Sequence, residues 1–338
     1  MKALVIQEDH SVQLEDRPIP EPGPDEILIK VIAAGLNHTD HKSALLGNPG
    51  TISGCDAVGE VVKLGSNVPD HEVKKGEKRF AFVRGAISET NGAFSEYMTC
   101  LWDGTSLIPP SITPQEAASI PIPFATAMQC LYYKLPIPEY PHRSNGEWIV
   151  IWSGASAVGQ YAIQLARLAG LRIATTASPS RWKLVQNLGA DVVVDYKDPE
   201  VIQKLRNATN DSIQYGIDCI SQKGTPQLVQ QAFRPEGGDL VLVLFDLDNL
   251  PRPEVKTRAM MGYNILGYET QVGDIFYKAV PEQRAMWVRW CKLCTKLFGD
   301  GQLKPLNVEV IGGLDQVQKG FELLRTGNHS KKIVFNVG

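Results

Sequence analysis

The sequence lacks several features that would indicate particular classes of protein. Its 338 residues carry a formal net charge of −3, and no run of lysine and arginine forms the basic face that nucleic-acid binding needs. No stretch reaches the roughly 18 consecutive apolar residues of a membrane span. Acidic residues also interrupt MKALVIQEDHSVQLED before it reaches the length of a signal peptide. We therefore expect a cytoplasmic protein that binds neither nucleic acid nor membranes.

The sequence also lacks a disulfide framework. Its cysteines are scattered, which is typical of a reducing compartment: Cys55, Cys100, Cys130, Cys219, Cys291 and Cys294. Only Cys291 and Cys294 form a C-x-x-C pair, within AMWVRWCKLCTKLFGDG, whose apolar spacing predicts a helix. Because no second pair is present, a four-cysteine structural zinc site is not predicted.

Two patterns of hydrophobicity divide the chain. The N-terminal third consists of short β-branched or aromatic runs separated by Pro, Gly and Asn turns, as in EILIKVIAAGL and KRFAFV, which predicts a barrel-like β unit. From Trp148 onward, continuous apolar runs alternate with helical segments, which predicts a parallel sheet covered on both faces. After Gln271, short strands and helices mix again, and we expect this last segment to return to the first unit.

A glycine-rich turn follows the first apolar strand of the second pattern. The segment EWIVIWSGASAVGQYAIQLARLAGLRIATTAS predicts strand, turn, helix and strand, which is the context of a dinucleotide-binding turn. The glycines allow a tight turn, and the helix that follows favours a pyrophosphate at its N-terminus. A turn that serves packing alone is the alternative. The predicted cofactor-binding residues here are Gly154, Ala155, Ser156, Ala157, Val158 and Gly159.

The end of the next predicted strand distinguishes between cofactors. A carboxylate there would bind the ribose 2′-hydroxyl of NADH, whereas a 2′-phosphate needs hydroxyl and cationic donors. The segment TTASPSRWK contains Ser178, Ser180 and Arg181 and no acid, so NADPH is predicted. Tyr196, at the end of DVVVDY, is positioned to close over the same phosphate. A solvated helix start is the alternative interpretation of Arg181.

Several motifs together resemble the medium-chain dehydrogenase/reductase superfamily over essentially the whole chain: GLNHTDHKS, GCDAVGEVVKLGSNV, GAFSEYM, SGASAVGQYAIQLA, LGADVVVDY and GFELLRTGNHSKKIV. The chain is most similar to the zinc-independent branch of quinone reductases and fungal trans-acting enoyl reductases. The resemblance implies an α/β fold class. A GroES-like β-barrel catalytic domain would span residues 1–121 and 272–338. A Rossmann domain with a doubly wound parallel sheet would span residues 122–271 and bind the cofactor.

The resemblance also defines where a catalytic zinc would be held. In zinc-dependent members, the first ligand is a cysteine where this chain has Asn37, and the second is a histidine where it has Cys55. A neutral amide is a poor zinc ligand, and one thiolate does not complete a tetrahedral site. His38, Asp40 and His41 remain nearby as an improvised alternative. We predict no metal.

Without a metal, reduction of an activated C=C bond is favoured over reduction of an isolated carbonyl group. Hydride addition at the β-carbon gives an enolate that one or two hydrogen-bond donors can stabilise. The resemblance implies three candidate catalytic residues: Asn37 near the nicotinamide, Lys42 at the mouth of the cleft and Thr126 beside the nicotinamide amide. A capping role competes for Asn37, and a surface role competes for Lys42. Leu244 and Phe245 should lie near the nicotinamide, because ligands bind beyond the carboxyl ends of parallel strands.

The sequence therefore predicts a zinc-independent, NADPH-dependent reductase of an activated C=C bond. Its substrate would be a hydrophobic small molecule or a carrier-bound acyl group, and a polyketide synthase of fungal secondary metabolism would be its partner if it acts in trans. Water, Tyr97, Tyr132 and Tyr133 are all open as proton donors. The alternatives are a quinone or alkenal oxidoreductase and a non-enzymatic NADPH-binding structural or regulatory protein, since fold alone does not fix function.

Overall fold

The structure is a computed structural model that describes residues 1–272 and 275–338. The chain divides into two compact units, one formed by Met1–Ile122 with Tyr263–Gly338 and the other by Pro123–Gly262. The sequence-derived boundary at 271/272 differs from this division. The reason is that Tyr263 already contacts the first unit, where its ring packs against Phe82 and Arg84.

The N-terminal part of the first unit consists mainly of strands. Its strands are β1 (Lys2–Ile6), β2 (Val12–Asp16), β3 (Glu26–Gly35), β4 (Asp56–Leu64), β5 (Lys78–Phe82), β6 (Tyr97–Leu101) and β7 (Thr105–Leu107). Its helices are α1 (His38–Leu46) and α2 (Pro114–Ala117). Thr113 caps α2 through a capping box with Glu116. The next helix, α3 (Pro121–Gln129), begins at Pro121, since proline is well tolerated in the first turn of a helix.

The second unit contains a six-stranded parallel sheet. Its strands are β8 (Trp148–Trp152), β9 (Arg172–Thr176), β10 (Val192–Val194), β11 (Ile213–Asp218), β12 (Gly238–Leu242) and β13 (Val255–Ala259). Besides most of α3, it contains the helices α4 (Ala157–Leu168), α5 (Trp182–Leu188), α6 (Val201–Thr209) and α7 (Thr225–Gln230). The spatial order β10-β9-β8-β11-β12-β13 is that of a doubly wound dinucleotide-binding fold. The predicted Rossmann architecture is confirmed.

The C-terminal segment adds six elements to the first unit. They are β14 (Thr270–Val272), β15 (Ile275–Tyr277), α8 (Pro281–Gly299), β16 (Val308–Val310), α9 (Val317–Thr326) and β17 (Lys332–Asn336). Cys291 and Cys294 both lie buried in α8, where the sequence predicts a helix. None of the described helices has the length and hydropathy of a membrane span.

Strand β3 organises the sheet of the first unit. It pairs with β4 along its length, with β6 through Glu26–Lys30, and with β17 through Ala33–Gly35. The pairing with β17 brings the last residues of the chain beside the turn that follows Gly35. Asn37 lies in that turn, so this pairing determines which side chains surround it.

Candidate active site

The turn between β8 and α4 is the predicted pyrophosphate site. Ser153 adopts a positive φ of 65°, and Ser156 caps α4 by accepting a hydrogen bond from the Gly159 amide at 3.1 Å. A Cβ atom at Gly154 would lie 2.2 Å from Thr175 Oγ1, and one at Gly159 would lie 2.3 Å from the Ser153 carbonyl oxygen. Both glycines are therefore required by close packing within the turn. The same packing sets the start of α4 at the end of the central strand, where the helix dipole favours an anion.

The other candidate cofactor residues follow neighbouring strands of the same sheet. Ser178 and Ser180 come after β9, with their Oγ atoms 3.3 Å apart, and Arg181 ends the short 3-10 turn Pro179–Arg181. Tyr196 follows β10 and is 46% exposed. Leu244 and Phe245 follow β12, which ends at Leu242, and the ring of Phe245 is 61% exposed. Because the strands are parallel, these residues all lie at one edge of the sheet, as a dinucleotide site requires.

Asn37 is the centre of a buried polar cluster in the first unit. It is 8% exposed and precedes α1, where its backbone amide donates to Asp40 Oδ2 at 2.7 Å in a capping box. Its side-chain Nδ2 donates to Asp56 Oδ2 at 2.8 Å, and its Oδ1 accepts a hydrogen bond from Lys332 Nζ. Asn37 therefore caps α1 and also takes part in a network of side-chain hydrogen bonds.

The charges of this Asn37 cluster (Asn37, Asp40, Asp56 and Lys332) are enclosed by protein. Lys332 Nζ lies 3.8 Å from Asp56 Oδ2, and the two side chains are 5% and 0% exposed. Burial raises the pKa of Asp56 to about 7, although Lys332 and Asn37 act in the opposite direction. Burial likewise raises the pKa of Asp40 to about 6. Burial lowers the pKa of Lys332, opposed by Asp56 and Asp40. Lys332 is thus the positively charged member of a cluster that contains two buried carboxyl groups.

A second group of side chains lies next to the Asn37 cluster and includes Cys55. The Cys55 thiol is fully buried, and burial followed by the charge of Asp40 raises its pKa well above its usual range. Its sulfur lies 4.0 Å from the hydroxyl oxygen of Tyr263, which is hydrogen-bonded to Thr39 Oγ1. The Arg84 guanidinium carbon lies 3.9 Å from the centre of the Tyr263 ring. Burial raises the pKa of Tyr263, so the phenol is neutral.

These residues do not fit a catalytic zinc. The Asn37 amide is a poor zinc ligand and its oxygen accepts a hydrogen bond from an ammonium group, and the single Cys55 thiol does not complete a tetrahedral site. His38 lies at the exposed start of α1. Within residues 1–272 and 275–338, no group of three or more His, Cys, Asp or Glu side chains is arranged to hold a metal ion.

The predicted catalytic residues belong to two different units. Asn37 and Lys42 lie on the first unit, Asn37 buried and Lys42 exposed on α1, whereas Thr126 lies 8% exposed within α3 in the second unit. Among the tyrosines left open as proton donors, Tyr132 donates its hydroxyl to the Leu165 carbonyl oxygen at 3.1 Å, and Tyr133 is 39% exposed.

Sequence reasoning missed Asp56, Arg84, Tyr263 and Lys332 as members of the site. Lys332 lies 295 positions from Asn37, so no local spacing joins them. The one available signal was its place at the start of a strand whose next three residues are all buried, Ile333, Val334 and Phe335. A lysine is rarely buried without a partner, which makes such a position unusual.

Comparison with known proteins agrees with this architecture. Residues 23–110 match the model of the alcohol dehydrogenase GroES-like domain, and residues 157–280 match the model described as zinc-binding dehydrogenase. An alcohol dehydrogenase superfamily protein from Novosphingobium aromaticivorans superposes with a TM-score of 0.84 over the full length of both chains, at 20% identity. This likeness shows a shared fold.

Two sequence relatives cover nearly the whole chain. A zinc-type alcohol dehydrogenase-like protein of Schizosaccharomyces pombe is 33% identical over 344 residues, which is 98% of this chain and 97% of the relative. A trans-enoyl reductase of Alternaria alternata is 32% identical over 345 residues, which is 99% of this chain and 98% of the relative. The chain belongs to the alcohol dehydrogenase family within the medium-chain dehydrogenase/reductase superfamily. It is an oxidoreductase of this family, whose enoyl reductases bind a nicotinamide cofactor.

Proposed function

We propose that the protein is a zinc-independent, NADPH-dependent reductase of an activated C=C bond in an enoyl thioester or another α,β-unsaturated carbonyl compound. The observation that carries the proposal is the bond from Lys332 to Asn37 and its proximity to Asp56. Asn37, at the position of the first ligand in zinc-dependent members, accepts a hydrogen bond from an ammonium group. Without a metal, the protein would lack the electrophile that favours reduction of an isolated carbonyl. The identity of 32% to a trans-enoyl reductase supports the same chemistry.

The second unit would hold the cofactor. When bound, the reduced nicotinamide supplies a hydride. The turn from Gly154 to Gly159, with Ala155, Ser156, Ala157 and Val158, would bind the pyrophosphate at the start of α4. Leu244 and Phe245 would contact the nicotinamide, and Thr126 would bind its amide.

The preference for NADPH over NADH rests on the residues after β9. Two hydroxyl groups, Ser178 and Ser180, and the guanidinium of Arg181 are suited to a 2′-phosphate, and no acid in TTASPSRWK would repel it. Tyr196 would cover the phosphate from the next strand.

In the first unit, Asn37 would act by positioning. Its Nδ2 and Oδ1 atoms are bonded to Asp56 and Lys332, so the side chain holds the start of α1 in place. Lys42, exposed on the same helix, would attract an anionic group of the substrate such as the phosphate of a carrier-bound acyl chain.

The substrate would be hydrophobic. The segment after β12 exposes Phe245 and Leu247, which are 61% and 43% exposed. The relatives that are named trans-enoyl reductases, including one of Fusarium heterosporum at 32% identity, support a polyketide synthase as the partner that presents the acyl chain.

The proposal is tested by single-turnover oxidation of NADPH by chelator-treated protein. The panel contains enoyl thioesters, simple enones and quinones. We expect enoyl thioesters or enones to oxidise bound NADPH at the same rate before and after chelation, because no step needs zinc. Added zinc should not raise that rate.

Other results would redirect the assignment. Activity that disappears with chelation and returns with zinc would contradict the proposal. Oxidation by quinones alone would indicate a quinone oxidoreductase, and tight NADPH binding without turnover of any acceptor would indicate a non-enzymatic protein.

A further inference from the structure

Arg84 is a buried cation with no carboxylate partner among residues 1–272 and 275–338. It is only 3% exposed. Arg79, which is also buried, differs from it because its Nη1 donates to Glu77 Oε2 at 2.7 Å. A charge that is removed from water without a partner is costly to the folded state. The burial of Arg84 therefore indicates a place where a negative group binds.

The hydrogen bonds of Arg84 use one side of its guanidinium group. Nη1 donates to Ser43 Oγ at 2.7 Å and to the Gly85 carbonyl oxygen at 3.1 Å. Nε is enclosed and has no hydrogen-bond partner, and Nη2 makes no hydrogen bond within the described part of the chain. The N–H bonds of Nε and Nη2 lie on the same edge of the planar group. A guanidinium edge of this kind can donate to both oxygens of one carboxylate.

The surrounding residues hold the guanidinium group in one orientation. Its central carbon lies 3.9 Å from the centre of the Tyr263 ring, and Ser43 and Gly85 fix Nη1 from the other side chain and the backbone. The contact with the aromatic face offsets part of the cost of burying the charge, but it does not supply an anion at the Nε–Nη2 edge. The donors are thus positioned before a ligand arrives, which lowers the entropic cost of binding.

Arg84 lies near one of the positions at which zinc-dependent members carry a ligand. That position is Cys55, whose sulfur is 4.0 Å from the Tyr263 hydroxyl oxygen. Burial and the charge of Asp40 raise the pKa of the Cys55 thiol, and the charge of Arg84 opposes them. An anion bound to Arg84 would therefore lie in the region of the first unit where the resemblance places the reacting group of the substrate.

We propose that the Nε–Nη2 edge of Arg84 binds a carboxylate of the substrate. The substrate would then be an α,β-unsaturated carbonyl compound whose chain also carries an ionised carboxyl group. This inference rests on the proposed function and adds a substrate class to it, with Arg84 as the residue that determines specificity. A carboxylate fits better than a phosphate, because its single charge and two oxygens match one guanidinium group with one open edge.

The direct test measures binding without turnover. The probe is 6-oxoheptanoate, which has a ketone and a carboxylate but no alkene, and its neutral counterpart is 6-oxoheptanamide. Each is titrated calorimetrically into the full chain without added cofactor. We expect the wild-type protein to bind the acid about 10-fold more tightly than the amide, because hydrogen bonds between charged groups are stronger than neutral ones. Arg84→Gln should remove this preference, and Arg84→Lys, which keeps the charge but not the planar edge, should retain part of it.

Arg79→Gln is the matched control. Arg79 is a second buried arginine, and its guanidinium group is already bonded to Glu77 and Thr105. This variant should bind the acid and the amide with the same ratio of affinities as the wild type. Because the measured quantity is a ratio, a general loss of stability does not imitate the expected effect of Arg84→Gln.

Turnover provides a second measurement. The substrates are 6-oxohept-4-enoate, an enone whose chain ends in a carboxylate, and the corresponding amide. In the wild-type protein with NADPH, kcat/KM should be about 10-fold higher for the acid than for the amide, and Arg84→Gln should reduce this ratio to about one. The difference should appear in KM, because the charge of the carboxylate does not change during reduction of the C=C bond.

Failure of this inference is distinguishable from failure of the proposed function. Equal binding of acid and amide by the wild-type protein, or a preference that persists in Arg84→Gln, would overturn the carboxylate site even if the protein reduces enones. Loss of the preference in Arg79→Gln as well would also overturn it. A preference for the acid in binding, removed by Arg84→Gln, in a protein that reduces no alkene would retain the site and refute C=C reduction.

Discussion

At the scale of single residues, Lys332 determines whether the Asn37 cluster is stable. Its ammonium group bonds to Asn37 and lies 3.8 Å from Asp56, while Asp40 is a further buried carboxyl group nearby. Breaking a buried ion pair by removing one partner costs about 3–5 kcal/mol, because the other charge remains without compensation. Surface ion pairs of the same protein, such as Lys2 with Asp16, have a smaller effect because water screens them.

We therefore expect Lys332→Met to lower the free energy of unfolding by about 3–5 kcal/mol at pH 8. The control is Lys331→Met, since Lys331 is exposed beside it in the sequence, and its effect should stay within about 0.5 kcal/mol. Urea unfolding followed by tryptophan fluorescence measures both. Equal losses in the two variants would show that the ammonium of Lys332 has no special role.

The same variant has a predictable pH dependence. In the folded wild-type protein, the pKa of Asp56 is raised to about 7, above the value of about 3.9 expected when unfolded. Between these values the folded state binds more protons, so this group's contribution to stability falls as pH rises from about 4 to about 7. Removing Lys332 raises the pKa of Asp56 further. The loss caused by Lys332→Met should therefore shrink as pH is lowered from 8 to 5, and a pH-independent loss would contradict this account.

At the scale of elements, the carboxyl end of β9 should determine which cofactor binds. Arg181 follows this strand within the turn Pro179–Arg181. We expect Arg181→Ala to weaken NADPH binding about 10-fold or more and to leave NADH binding nearly unchanged, since only NADPH carries the 2′-phosphate that a guanidinium binds. Fluorescence titration with both cofactors measures the ratio of the two affinities.

Arg172→Ala is the control for this prediction, because Arg172 begins the same strand at its opposite end. There its side chain donates to the Gly146 carbonyl oxygen at 2.7 Å and lies over Trp148. Its loss should leave the ratio of NADPH to NADH affinity as in the wild type. Parallel weakening of NADPH and NADH by Arg181→Ala would instead indicate a general loss of structure.

Elements were predicted more successfully than the contacts between them. The alternation of apolar runs and helical segments after Trp148 is a local property, and the parallel sheet confirms it. The turn at Gly154 was recognised for the same reason, since strand, turn and helix are consecutive. Leu244 and Phe245 come shortly after β12, which ends at Leu242. Proximity of Lys332 to Asn37, or of Tyr263 to Thr39, depends on strand pairing and chain return over hundreds of residues, which no periodicity encodes.

At the scale of the whole molecule, the first unit depends on both ends of the chain. Strand β17 lies between β16 and β3 in the seven-stranded sheet, and Phe335 packs edge-to-face against Phe94 with ring centres 5.6 Å apart. One apolar cluster of fourteen buried residues takes six of them from the C-terminal segment: Leu314, Val317, Phe321, Leu324, Ile333 and Phe335. The second unit is one continuous stretch, and the six strands of its parallel sheet all lie within it, from β8 to β13.

The first unit includes the C-terminal segment, whereas the second unit is continuous. This difference predicts the result of truncating the chain after Gly262. Each lost apolar side chain contributes about 1.5–3 kcal/mol when buried, so six of them contribute about 9–18 kcal/mol, which matches or exceeds the usual stability of a domain of about 5–15 kcal/mol. Loss of Lys332 also leaves Asp56 without its cation. We expect hydrogen exchange of the 1–262 fragment to show unprotected amides in β3, β4 and β5 and protected amides in β8, β9 and β11. The fragment should still bind 2′,5′-ADP, because the phosphate turn and Arg181 lie within the second unit. Protection of β3 and β4 in the fragment would show instead that the N-terminal segment folds without the return of the chain.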